Sequence, residues 1–219
     1  MDVILNASTI LLAAVCIGGA LIYVAASWKG VRPAAVMAKV AASTSFVAIA
    51  LVNGAAATAY GWAVLAALIF SWLGDMLLLS RKSMIFLTGM ATFFIAHVAF
   101  SAAFAMRPVS IGIFAAGLAA TGLFGVLILK WLWPFLLGPH RFAVPVYLAA
   151  VMVMVSLAIA ASVAELPAVV AVGAVAFALS DVSVARDRFI ERDVINKAWG
   201  LPLYYLAQVI FAASVAGSR

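Results

Sequence analysis

The sequence predicts an all-α polytopic membrane protein, a bundle of eight transmembrane helices with both termini on the outer side. Three observations carry this reading. Of 219 residues, 68% are hydrophobic and only 9% are charged, whereas a soluble domain carries about 25% charge. The apolar stretches each approach the roughly 20 residues that cross a hydrocarbon core. The charges sit in the short breaks between these stretches, and they fall unequally on the two sides.

The expected spans are residues 3–26, 33–52, 58–80, 83–105, 110–131, 142–163, 167–188 and 198–216. Lys29-Gly30-Val31-Arg32-Pro33 ends the first and opens the second. Asn53-Gly54, Arg81-Lys82 and Arg107-Pro108 mark the next breaks. Pro134 to Arg141, then Glu165-Leu166-Pro167, then Arg186 to Lys197 mark the rest. Pro33, Pro108 and Pro167 stand near helix starts, where a missing N–H costs little. No polar block is large enough to fold alone, so residues 1–219 read as a single transmembrane domain. The N-terminus does not resemble a cleaved signal, since Asp2 stands where a basic region is usual and the apolar stretch is long enough to span. Cys16 has no second cysteine to pair with and reads as a small packed residue.

Orientation follows from the basic residues. With the N-terminus outside, the inner loops hold Lys29, Arg32, Arg81, Lys82, Lys130, Arg141, Arg186, Arg188, Arg192 and Lys197. The outer side holds only Arg107 and Arg219. This asymmetry is the positive-inside pattern, and it supports an even number of spans with both termini outside. The formal net charge of +6 therefore faces anionic headgroups, and nucleic acid is not an expected partner. The expected location is the cell membrane, a bacterial inner membrane.

Charge at membrane depth is the informative class, because a central Asp or Lys costs about 2.5–3.5 kcal/mol to insert. Lys39, Asp75 and Asp181 qualify. At a rise of 1.5 Å per residue, Asp75 lies roughly 8 Å from the inner end of its span and Asp181 roughly 10 Å. Lys39, Tyr147 and Tyr205 fall at matching depth on three other spans. One polar pocket on the cytoplasmic side accounts for all five. Asp181, Ala185 and Arg188 share one helical face at i, i+4 and i+7, which places Arg188 at the pocket mouth, where it can meet a phosphate. Tyr205 and Gln208 share a face at i, i+3. His97 lies nearer mid-membrane, above Phe93 and Gly89.

Each of these residues also has a plain structural reading. Either aspartate can be half of an ion pair with Lys39. Lys39 itself can snorkel to the interface. His97 can be a packing residue, Tyr147 and Tyr205 interfacial belt residues, and Arg188 one more inner charge. Familiar chemistries are missing: no HExxH helix, no Gly-rich phosphate loop and no nucleophile elbow. Two histidines, His97 and His140, cannot build a three-His zinc site. No metal and no cofactor are expected. Phe70-x-x-x-Gly74-Asp75 resembles Phe177-x-x-Ser180-Asp181, four spans apart, which fits a parallel duplication of a four-helix unit.

Four segments resemble the YhhN-like integral membrane proteins, which include the lysoplasmalogenases. They are Ser71-Trp72-Leu73-Gly74-Asp75, Phe86-Leu87-Thr88-Gly89 with Phe93 to His97, Phe177 to Asp181 with Ala185 to Phe189, and Tyr204-Tyr205-Leu206-Ala207-Gln208. The resemblance implies an eight-helix fold and hydrolysis of the vinyl ether bond of lysoplasmalogens. The implied products are a fatty aldehyde and glycerophosphoethanolamine or glycerophosphocholine, so a lysophospholipid is the expected substrate, met among membrane lipids. It also implies that Asp75 and Asp181 are the catalytic pair. Lys39, His97, Tyr147, Ser180, Arg188, Tyr205 and Gln208 are the expected supporting residues. Two further readings fit the residues: a hydrolase of another lysolipid or ether lipid on the same fold, and a proton-coupled small-molecule or lipid transporter.

Overall fold

The computed structural model describes residues 6–80 and 82–218. Arg81 and Arg219, two charges of the orientation count, lie outside them, as do residues 3–5 of the first expected span. Eight helices follow in order: α1 (Ala7–Trp28), α2 (Arg32–Val52), α3 (Ala59–Leu77) and α4 (Ser83–Ala105), then α5 (Ile111–Leu132), α6 (His140–Ala164), α7 (Ala168–Ala185) and α8 (Val194–Ser214). All eight are long and apolar enough to cross a membrane. Helices answer the lack of water in hydrocarbon, because each backbone N–H finds its acceptor within its own segment.

The ends are built by local chemistry. Asn6 Oδ1 accepts from Thr9 N at 2.7 Å, Thr58 Oγ1 from Gly61 N at 3.0 Å, and Asp193 Oδ1 from Ile195 N at 3.0 Å. Such caps satisfy backbone donors that no helical carbonyl reaches. Pro33 sits in the first turn of α2. Gly30 turns the chain between α1 and α2 at φ 70°, a conformation glycine adopts without steric cost.

Short connections make consecutive helices antiparallel, so the Lys- and Arg-rich turns gather at one end, called here the basic end. Helices pack as hairpins α1–α2, α3–α4, α5–α6 and α7–α8. Across the hairpins α2 meets α3, and α6 meets α7. The halves join through α8 on α1 and α2 and through α4 on α6. Advancing every helix by four maps these contacts onto one another except α8 on α1, which has no counterpart of like extent between α4 and α5. Phe46, Phe100, Phe104, Phe177 and Phe211 are fully buried and fill the middle of the bundle. At the far end Arg107 pairs with Glu165 at 3.1 Å and lies over the Tyr60 ring, and Tyr60 hydrogen-bonds Ser214 at 2.8 Å.

The third expected span ends early, at Leu77, and the boundaries of the last two change together. The seventh span does not run as an α-helix to residue 188, because α7 ends at Ala185 and the chain continues as a π-turn over Arg186–Ile190. The eighth begins at Val194, four residues before the expected start. The physical cause is one network. Buried Asn196 accepts from Arg186 Nη1 at 2.6 Å and donates to the Glu191 carbonyl at 2.7 Å, while Ser183 Oγ donates to the Asn196 carbonyl at 2.9 Å.

The α3–α4 crossing is close beside Asp75. A Cβ on Gly74 would lie 2.5 Å from the Phe93 ring. Gly74→Ala is expected to cost about 1–3 kcal/mol through overpacking, read as a lower midpoint of thermal unfolding in detergent.

Candidate active site

Asp75 is held from three directions. Lys39 Nζ on α2 lies 3.1 Å from Oδ1, and the two side chains are 6% and 3% exposed. Oδ2 accepts from Ser43 Oγ at 2.7 Å and from the Tyr204 hydroxyl at 2.8 Å. Ser43 also shares a 3.0 Å hydrogen bond with the Tyr205 hydroxyl. An ionised carboxylate only accepts, and this one is met by an ammonium and two hydroxyls.

Asp181 is held differently. Its side chain is 17% exposed, and His97 Nε2 lies 3.2 Å from Oδ2. That contact lacks hydrogen-bond alignment, so Asp181 Oδ2 has no aligned hydrogen-bonding partner among the described residues. His97 Nε2 makes its hydrogen bond, 3.0 Å, with the Tyr147 hydroxyl. The His97 ring is fully buried, with its centroid 4.5 Å from that of Phe177. Phe177 also packs edge-on against Tyr204 at 5.4 Å. The Phe177 ring thus lies between the partners of one carboxyl and those of the other.

Both aspartates line one cavity of about 190 Å³. Lys39, Tyr147, Ser180 and Arg188 line it too, with Tyr23, Arg192 and Lys197. Four of the five residues at matching depth, Lys39, Asp75, Tyr147 and Asp181, therefore line this cavity, and the fifth, Tyr205, does not. Tyr205 and Gln208 are fully buried behind the cavity wall. Tyr205 reaches Asp75 through Ser43, and among the described residues neither amide atom of Gln208 has a hydrogen-bond partner. His97 also stands behind the wall, beside Asp181. Ser180 Oγ donates to the Phe177 carbonyl at 2.7 Å and so is committed to its own helix. Lys39 does not snorkel: it is buried, against Asp75 and 5.7 Å from the Tyr23 ring.

Arg188 reaches the mouth by a route other than the expected helical face. The π-turn that begins at Arg186 breaks the i, i+4, i+7 register. Its guanidinium stacks on Phe86 at 4.4 Å, and Phe86 and His140 each pack against Phe189. Among the described residues, no group of three or more His, Cys, Asp or Glu side chains is placed to hold a metal ion.

Sequence reasoning overlooked Ser43 and chose Tyr205 over Tyr204. A signal existed for both: Ser43 follows Lys39 at i+4, and Tyr204 precedes Gln208 at i+4, so each pair shares a face. Tyr23, Arg192 and Lys197 carried no motif.

A bundle of eight membrane helices with two carboxyl clusters opening on one basic-mouthed cavity defines an integral membrane protein with an intramembrane polar site. More narrowly, the chain belongs to the YhhN family, whose profile matches residues 34–215. It is 30% identical over 164 residues to lysoplasmalogenase TMEM86A of Bos taurus, and 31% identical over 160 residues to lysoplasmalogenase TMEM86A of Homo sapiens. Each comparison covers 69% of this chain and 64% of the relative, so the chain spans under two thirds of the length of these relatives. No solved structure matches it.

Proposed function

We propose that this chain is a membrane hydrolase that cleaves the vinyl ether bond of lysoplasmalogens, with Asp181 as the acid and Asp75 as the fixed anion. The names of its relatives support the substrate class. The observation that carries the mechanism is the unequal setting of two carboxyls on one cavity. Asp75 meets an ammonium and two hydroxyls, while Asp181 Oδ2 has no aligned donor.

Vinyl ethers hydrolyse through acid. Asp181 gives its proton to the β-carbon of the double bond, and an oxocarbenium ion forms at the carbon bonded to oxygen. The Asp75 carboxylate stabilises that cation across a site with little water to screen it. Water adds to the cationic carbon and returns a proton to Asp181. The hemiacetal hydroxyl proton then passes to the ether oxygen as the C–O bond breaks, leaving a fatty aldehyde and a glycerol hydroxyl. His97, pinned by Tyr147, positions the Asp181 carboxyl. The same division of labour between two carboxyls serves glycoside hydrolysis, whose transition state is also oxocarbenium-like.

In this reading the basic end faces the cytoplasm, and Arg188, Arg192 and Lys197 receive the phosphate. The buried phenylalanines in the middle of the bundle favour chemistry at one end over passage across it. Purified protein in detergent, given lysoplasmalogen, is expected to release fatty aldehyde without any gradient and at an unchanged rate in chelator. No aldehyde under those conditions overturns the reading.

A further inference from the structure

A second, almost wholly apolar groove of about 280 Å³ runs between α5, α6 and α7. Its walls are Ala120 and Phe124 of α5, Met152 of α6, and Val175, Ala178 and Leu179 of α7. The one polar side chain on it, Thr121, is already satisfied: its hydroxyl is 3.0 Å from Ser156 Oγ and 3.4 Å from the Met152 carbonyl. Phe124, Met152 and Ala178 also line the cavity that holds the two aspartates. The two spaces therefore share walls. Ala178 stands one turn before Asp181, about 4.5 Å along the helix.

The outer side of this groove is a lipid-facing surface. Phe124, Val175 and Leu179 are exposed there. The strong contacts of α5 are with α6 and with the turn that follows it, Trp133–Phe135, which leaves its seam with α7 unfilled. From the basic mouth inward the order is Arg188, Arg192 and Lys197, then the carboxyls, then hydrocarbon walls with no free polar group. That sequence matches one molecule: a single-chain amphiphile with its phosphate at the mouth, its reactive bond at the carboxyls and its tail in the groove.

We propose that the α5–α7 groove binds the single hydrocarbon chain of the substrate and is the sideways door through which that chain enters from the bilayer and the aldehyde returns to it. The proposal rests on the hydrolase reading for its reaction, and on the shared walls for its geometry. Ala120 and Val175 line the groove and not the cavity, so they block it without touching the carboxyls.

Ala120→Trp and Val175→Trp are expected to lower kcat/KM for a long-chain alkenyl lysolipid by about tenfold or more. That is the loss when two methylene groups no longer find apolar contact. A short-chain, water-soluble vinyl ether should be turned over as by the wild type. Equal losses on both substrates, or no loss on either, overturn the proposal. A lysophospholipid with a photoreactive group at the chain terminus reads binding apart from turnover. Adducts on α5 and α7 that vanish in Ala120→Trp support the groove even if no ether is cleaved, in which case only the hydrolase reading fails. Adducts spread evenly over the lipid-facing helices overturn it, as do cross-links between two copies of the chain across α5.

Discussion

Asp181→Asn is expected to lower aldehyde release by about 10²–10⁴-fold, the span usual for a positioned general acid, with little change in thermal unfolding. Asparagine keeps the shape and fills the same space but has no proton to give to carbon. Asp181 Oδ2 accepts no aligned hydrogen bond from the described residues, and its 3.2 Å contact with His97 Nε2 can be kept by an amide. Asp75→Asn is expected to differ in kind. In the proposed mechanism it removes the anion facing the oxocarbenium ion, and it also leaves the Lys39 ammonium, 3.1 Å away, buried without its counter-charge. Activity and stability should fall together. Aldehyde release and detergent unfolding, measured on both variants, separate the roles. Near-normal turnover in Asp181→Asn removes it as the acid.

Lys39→Met is expected to destabilise the chain by about 3–5 kcal/mol, the usual result of stranding one member of a buried pair. Methionine fills the stem volume, so the loss is one of charge. Lys39→Met combined with Asp75→Leu should regain part of that stability, since no charge is left unpaired although the Tyr204 hydroxyl loses its acceptor, while releasing no aldehyde. The double variant thus divides folding from chemistry at the same two positions. An unfolding midpoint unmoved by Lys39→Met alone contradicts the tight Lys39–Asp75 pairing.

The eight helices were legible because hydrocarbon imposes one simple requirement, length of apolar run, and because charges punctuate the runs. The site's depth was legible for a similar reason: a fixed rise per residue converts position into height, and Lys39, Asp75, Tyr147 and Asp181 do line one cavity. Rotation about each helix was harder. Tyr204 and Tyr205 are about 100° apart on α8, and only packing against α2 and α3 turns Tyr204 to Asp75 and Tyr205 to Ser43. Arg188 lost its register to a π-turn held by Asn196, a partner ten residues from Arg186. The groove was invisible in principle. A helix apolar on every side, as α5 is, gives no clue to which side meets protein and which meets lipid.

The order of the helices along the chain has a consequence for how the protein is made. Lys39 and Asp75 lie on neighbouring helices of the first half, α2 and α3. They can neutralise each other as soon as α3 has followed α2 into the bilayer, offsetting much of the insertion cost of either charge. Asp181 enters much later on α7, and its neighbour His97 is already waiting on α4. Asp75 in turn acquires Tyr204 only when α8, the last helix, is in place. The order of synthesis therefore brings Lys39 and Asp75 together first and completes their surroundings last, so a nascent chain lacks the full polar cluster until its final helix is home.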